Sequence, residues 1–173
     1  LNTNFANETD ATNASGKIGL QWEVNDKGMM YTSYTEGYKG PAFNVFYNMS
    51  NNDTAPIAEE TSNAFEIGYK FTGDNLFANV AIFKTDIENF QANNFDSSGG
   101  TTITRLTNAG DVSTQGIEVD FTWQPSENLS FTGGFASIDA EIDRFNCPVG
   151  VAPGSCTSRS GLDVPFSPDL KYS

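Results

Sequence analysis

Three carboxylates alternate along one short stretch, Asp139, Glu141 and Asp143 in ASIDAEIDRF. Residues two apart share a face of an extended strand, so this spacing makes a ladder of like charges. Such a ladder repels itself unless a cation or a Lys or Arg stands by, and hard oxygen donors of this kind suit calcium. The three acids are therefore candidate metal ligands at a loop rim. The alternative is a solvated strand end, partly neutralised by Arg144. A second set is aromatic: Tyr38, Phe43, Phe46 and Tyr47 lie in or beside a long polar stretch. Loop aromatics there either contact a ligand or pack on one another. A third pair is Cys147 and Cys156, with Pro148, Gly150, Pro153 and Gly154 between them. That loop composition favours a local disulfide, and an oxidising compartment, over two free thiols.

Other chemistries are poorly supplied. The chain has no histidine, which removes the commonest general base and all His-based metal sites. Paired acids alone would suit glycoside hydrolysis, but no nucleophile motif accompanies them. An enzyme is not expected, nor a cofactor. With 9 Lys and Arg against 22 Asp and Glu, the net charge is −13, which argues against a nucleic-acid partner.

The elements that must position these residues read as strands. Ile18, Leu20, Trp22 and Val24 alternate with Lys17, Gly19, Gln21 and Glu23, the period of a two-faced strand over 16–24. Further strands are expected over 28–38, 61–71, 76–91, 101–124 and 128–143, with a seventh beginning near 164–173. Phe65, Ile67, Tyr69 and Phe71 share one face, as do Ile117, Val119, Phe121 and Trp123. Glu66, Lys70, Glu118 and Asp120 stand opposite. Asn108-Ala109-Gly110-Asp111 interrupts the fifth strand, where Gly signals a bulge.

The joins alternate in length. Asn25-Asp26-Lys27, Thr72-Gly73-Asp74-Asn75 and Pro125-Ser126-Glu127 are short; 39–60, 92–101 and 144–164 are long. One tidy edge and one elaborate edge is the pattern of an up-and-down transmembrane β-barrel. No apolar run is long enough for a membrane helix, and alternation keeps the mean hydropathy at −0.38. Trp22, Tyr69, Phe71 and Trp123 cluster near the short turns, as an interfacial aromatic girdle does. On this reading Glu23, Glu66, Glu118 and Asp120 face an enclosed passage with Lys17 and Lys70.

Four segments in order also resemble the barrel region of TonB-dependent outer-membrane receptors: YTSYTEGYKGPAFN (31–44), EETSNAFEIGYK (59–70), NVAIFKTDIENFQ (79–91) and LTNAGDVSTQGIEVDFTWQP (106–125). One departure is that the expected Pro-Glu reads as Ala58-Glu59, with Pro56 displaced. The resemblance implies that 1–173 is part of a larger barrel domain, with the N-terminal plug, the short TonB box and the terminal strand outside it. Both ends look cut, and six or seven strands cannot close such a barrel. It further implies a bacterial outer-membrane location with lipid around the wall. The implied function is uptake of a scarce nutrient, foremost a ferric siderophore or other iron complex, energised through TonB. The alternatives are a passive porin and a soluble β-sandwich that binds carbohydrate.

Overall fold

The alternation in the sequence becomes one antiparallel meander. The computed structural model describes residues 6–44, 54–96, 102–147 and 154–173. Its strands are β1 (Gly16–Asn25), β2 (Gly28–Lys39), β3 (Glu60–Thr72), β4 (Leu76–Asp96), β5 (Ile103–Ser126), β6 (Leu129–Phe145), β7 (Leu162–Asp163) and β8 (Leu170–Tyr172). Each strand from β1 to β6 pairs with the next, and β8 also pairs with β6. The fold is all-β, an up-and-down section of barrel wall.

Register decides what each face carries. Thr32, Ile67, Ile82, Ile117 and Ser137 stand level across five strands. The next row is Met30, Tyr69, Val80, Val119 and Phe135. With Ile18, Leu20 and Trp22 of β1 they form a continuous apolar belt. No second protein layer covers it among the described residues: Leu20 is 69% exposed, Ile82 55% and Trp123 44%. A sandwich buries such a face against a partner sheet, whereas a barrel in lipid presents it to hydrocarbon. From Phe71 to Phe65 the wall climbs about 20 Å at ~3.3 Å per residue, close to the ~25 Å apolar band of an outer-membrane barrel.

The short turns are sewn to one another. Lys27 N–H is capped by Asn25 Oδ1 at 2.9 Å. Thr72 N–H donates to Lys27 O and Gln124 N–H to Asn75 O, both at 2.8 Å. Lys27 Nζ reaches Asp74 Oδ2 at 3.2 Å between neighbouring turns. Above this edge Trp123 stacks on Phe131, with centroids 5.6 Å apart. The girdle expected from Trp22, Tyr69, Phe71 and Trp123 thus lies on the lipid face beside the short turns.

Two elements differ from the sequence reading. The described part of the expected loop over 92–101 is strand, because β4 runs on to Asp96 and pairs with β5 from Ile103. Register shifts between Ile87 and Gln91 scramble the period-two signal there without ending the ladder. The expected seventh strand is instead split. β7 pairs Leu162 with Ile142, and β8 pairs Leu170 with Ser137. Between them lie Pro165 and Pro168, which have no N–H to donate, and the chain turns at Phe166, which has φ 66° and is fully exposed.

A charge on the lipid face should be costly and the same charge on the other face cheap. In denaturant titrations of the whole barrel in lipid vesicles, Ile82→Arg should lower stability by ~2–4 kcal/mol. Glu118→Lys should change it by ~0.5 kcal/mol or less.

Candidate functional site

The two ends of the wall differ in kind, and the long-loop end holds the densest polar chemistry. It is built from side-chain amides that act as pieces of backbone. Asn44 pairs with the main chain of Leu106 in both directions, Nδ2 to O and N–H to Oδ1, each at 2.8 Å. Asn108 does the same for Ala58, accepting its N–H at 2.8 Å and donating to its carbonyl at 2.9 Å. Its second amide hydrogen reaches Asn89 O at 2.8 Å. Gln91, only 5% exposed, donates to the carbonyls of Gly40 and Ala58 at 2.9 Å each. Its own N–H goes to Glu60 Oε2 at 2.6 Å. Each pairing satisfies backbone groups that irregular loops would otherwise leave open.

The bulge expected at Asn108–Asp111 supplies the centre of this knot. Ala109 is the extra residue of β5 between the pairs Phe90–Gly110 and Gln91–Asn108, and Asn89 of β4 adopts φ 54°, a left-handed conformation that Asn tolerates. Gly110 sits at φ 138°, and a Cβ there would drive into the Arg144 carbonyl. Asp111 accepts the Asn89 N–H at 3.0 Å. It also takes a two-pronged bond from Arg144, Nε to Oδ2 at 2.6 Å and Nη2 to Oδ1 at 2.8 Å. Arg144 Nη1 continues to Asn146 Oδ1 at 3.1 Å, and Asn146 Nδ2 returns to Asn108 O at 3.0 Å. The Arg144 guanidinium holds the Asp111 carboxyl below its ordinary range, against the opposing pull of burial.

The sequence candidates fall into place unevenly. Cys147 and Cys156 are joined, with Cα atoms 6.0 Å apart. Tyr38 is level with Thr61 in an unbroken register, which puts it on the outward face with Tyr34, away from the passage. Phe43 is half-buried between Ala42, bridged to Ile57, and Asn44. Phe46 and Tyr47 lie outside the described residues. Asp139 and Glu141 pair with Gln115 and Ser113 across β5, so the acidic ladder stands on the outward face above the apolar belt. Gln115 Nε2 donates to Asp139 at 3.1 Å and Ser113 Oγ to Asp143 at 2.9 Å. Among the described residues no three acids converge on a point that would hold a metal ion. Arg144 neutralises Asp111 rather than the ladder.

Glu66, Lys70, Glu118 and Asp120 do occupy the face opposite the belt. They line its inward side with Gly68, which leaves room for the Tyr31 ring. Lys70 Nζ lies 5.2 Å from the centre of that ring, a cation–π contact rather than an ion pair with the acids. Lys17, Gln21, Tyr31, Ser33, Glu66 and Lys70 border a concavity of about 350 Å³.

Sequence reasoning passed over Asn44, Gln91, Asp111 and Asn146 as site builders, and cast Arg144 for the ladder. A signal was present for some: FN (43–44) and NAGD (108–111) stand inside the quoted segments. The contacts also single out Glu60, the neighbour of Glu59. It is Glu60 that accepts Gln91 N–H and faces Lys39 Nζ at 3.7 Å.

An apolar belt outside, a polar wall inside, stitched short turns at one end and knotted loops at the other define a transmembrane barrel wall. Residues 2–173 match the TonB dependent receptor-like β-barrel family. The chain belongs to that family, whose members are receptors of the bacterial outer membrane, and the long-loop end is its extracellular crown. The pesticin receptor of Yersinia pestis is 25% identical over 109 residues, covering 63% of this chain and 16% of that protein. The ferric yersiniabactin uptake receptor FyuA from Yersinia pestis superposes with TM-score 0.69 and 22% identity, over 91% of this chain and 22% of that one. The ferric-catecholate import receptor Fiu from E. coli K12 gives TM-score 0.60 and 23% identity, over 91% and 21%. The chain therefore spans about a fifth of the solved receptors it matches.

Two expectations follow from the knot. Gly110→Ala should lower the thermal midpoint of the receptor, with a loss of at least ~1–2 kcal/mol from the left-handed backbone alone. The pH dependence follows from the depressed Asp111 pKa. Stabilisation by the Asp111–Arg144 pair is complete above the unfolded carboxyl value of about 4 and is lost as pH falls through the lower folded value. Protease resistance of the crown should hold flat from neutral pH down to that range and drop only below it. Asp111→Asn should remove the acid-dependent step.

Proposed function

We propose that this chain forms wall and crown of a receptor that captures a scarce nutrient, a ferric siderophore or other iron complex, at the cell surface. The receptor then passes it inward with energy delivered through TonB. The observation that carries this reading is the match of residues 2–173 to the TonB dependent receptor-like barrel family. The ligand class is supported by the proteins similar to it, named for ferric yersiniabactin uptake and ferric-catecholate import. On this reading 1–173 is part of one barrel domain. The bare edges of β1 and of β7 and β8 pair with further strands, since open edges do not face lipid. A plug and a TonB-contacting region stand N-terminal to the barrel. The partners are outer-membrane lipid around the apolar belt, TonB on the inner side and the iron complex at the crown. The role is transport rather than catalysis.

The test is uptake of radiolabelled ferric yersiniabactin and of a ferric catecholate by cells producing the full receptor. Accumulation of at least one should need both the receptor and TonB, falling to the level of receptor-free cells when TonB is deleted. Uptake that persists without TonB would identify a passive porin instead.

A further inference from the structure

The crown knot joins segments that are remote in the chain. Ala58 belongs to the stretch leading into β3, Asn89 and Asn108 to the β4–β5 arm, and Arg144 and Asn146 to the end of β6. Cys147 follows Asn146 directly and opens the stapled loop. The far arm of that loop is itself fixed to β6, through Phe145 N–H to Ser160 Oγ at 2.9 Å and Gly161 N–H to Ile142 O at 2.8 Å. The bonds form one unbroken path: Arg144 to Asn146, Asn146 to Asn108, Asn108 to Ala58. A side branch runs from Arg144 through Asp111 to Asn89.

We propose that Asn108, Asp111, Arg144 and Asn146 form a latch that makes the Cys147–Cys156 disulfide, the described part of the β4–β5 arm and the stretch entering β3 from Ala58 move as one body. Three features favour a latch over a set of local contacts. Its central pair is charge-assisted and two-pronged, the strongest kind of side-chain contact and one with fixed geometry. Asn108 and Asn146 are carboxamides in bridging positions, so a shift of one end displaces the partner's backbone bonds rather than a free side chain. The ladder slips on both sides of them, with Ala109 the extra residue of β5 against Phe90 and Gln91 and Asp143 the extra residue of β6 against Asp111 and Val112, places where strands bend. A force on the disulfide is thus delivered to Ala58, which lies next to Ile57, the residue bridged to Ala42. The inference stands on crown geometry, whatever the ligand.

The experiment is site-resolved hydrogen exchange on the full receptor in detergent micelles. In Arg144→Gln the Ala58 amide, which Arg144 does not touch, should exchange about tenfold faster. The Asn89 amide should rise with it, and Thr72 and Gln124 in the short turns should be unchanged. Faster exchange at Asn89 with Ala58 unmoved would show a local pin and overturn the latch. If Arg144→Gln also loosens the short turns, Asn146→Ala decides, because it leaves the Asp111–Arg144 pair in place. Faster exchange at Ala58 then supports the latch, and an unchanged Ala58 overturns it.

Discussion

Hydrocarbon offers no hydrogen bonds, so every peptide group that crosses it must be paired within the protein. The rest of this structure follows from that constraint. Across β2–β3 and β3–β4 the register runs without a single shift. The irregularities fall elsewhere: between Glu23 and Asn25, between Trp123 and Ser126, and through Ile87–Gln91 and Asp111–Val112. All lie near the short turns or beyond the apolar belt. The ladder is kept perfect where lipid surrounds it and relaxed where water can reach it.

Beyond the belt the same requirement is met differently. Long loops cannot all find ladder partners, and the crown substitutes carboxamides for peptides. Asn44 and Asn108 each present a donor and an acceptor to one residue's backbone, as a neighbouring strand would. Gln91, almost fully buried, donates its side-chain amide to the carbonyls of Gly40 and Ala58. A charged side chain at these positions would offer only donors or only acceptors. The two-pronged ion pair of Asp111 with Arg144 stands where both heads keep some water, which limits its desolvation cost.

The acids divide by face. Glu66, Glu118 and Asp120 contribute to a wet inner wall, with Lys70 set over Tyr31 rather than against them. Asp139, Glu141 and Asp143 stand on the outer surface just above the belt, the first two level with Gln115 and Ser113 of β5 and the third hydrogen-bonded to Ser113. Alternation gave them a common face, and the parity shared with Ile117 and Ser137 made it the outward one. The same parity places Tyr38 outward, next to the interface where amphipathic rings favour one wet end and one apolar end.

The fold was legible because its governing signals are local. Alternation in 16–24, 61–71 and 116–124, and turn residues at three short joins, fixed the strands, their order and the tidy edge. The proline-bounded cysteine pair pointed to its own bond. The β4–β5 arm past residue 91 was not legible, since bulges shift the period that betrays a strand, and the seventh strand split where Pro165 and Pro168 withhold donors. The crown knot was invisible for a different reason. Asn108 announces a bulge by its neighbour Gly110, but nothing local says that its amide will close on Ala58, 50 residues away. By itself the sequence determined which residues share a face and where the chain turns, because those depend on neighbours in the chain. Tertiary structure alone decided which face meets lipid at each level and which loops are tied together, because those depend on register between strands and on contacts between segments far apart in sequence.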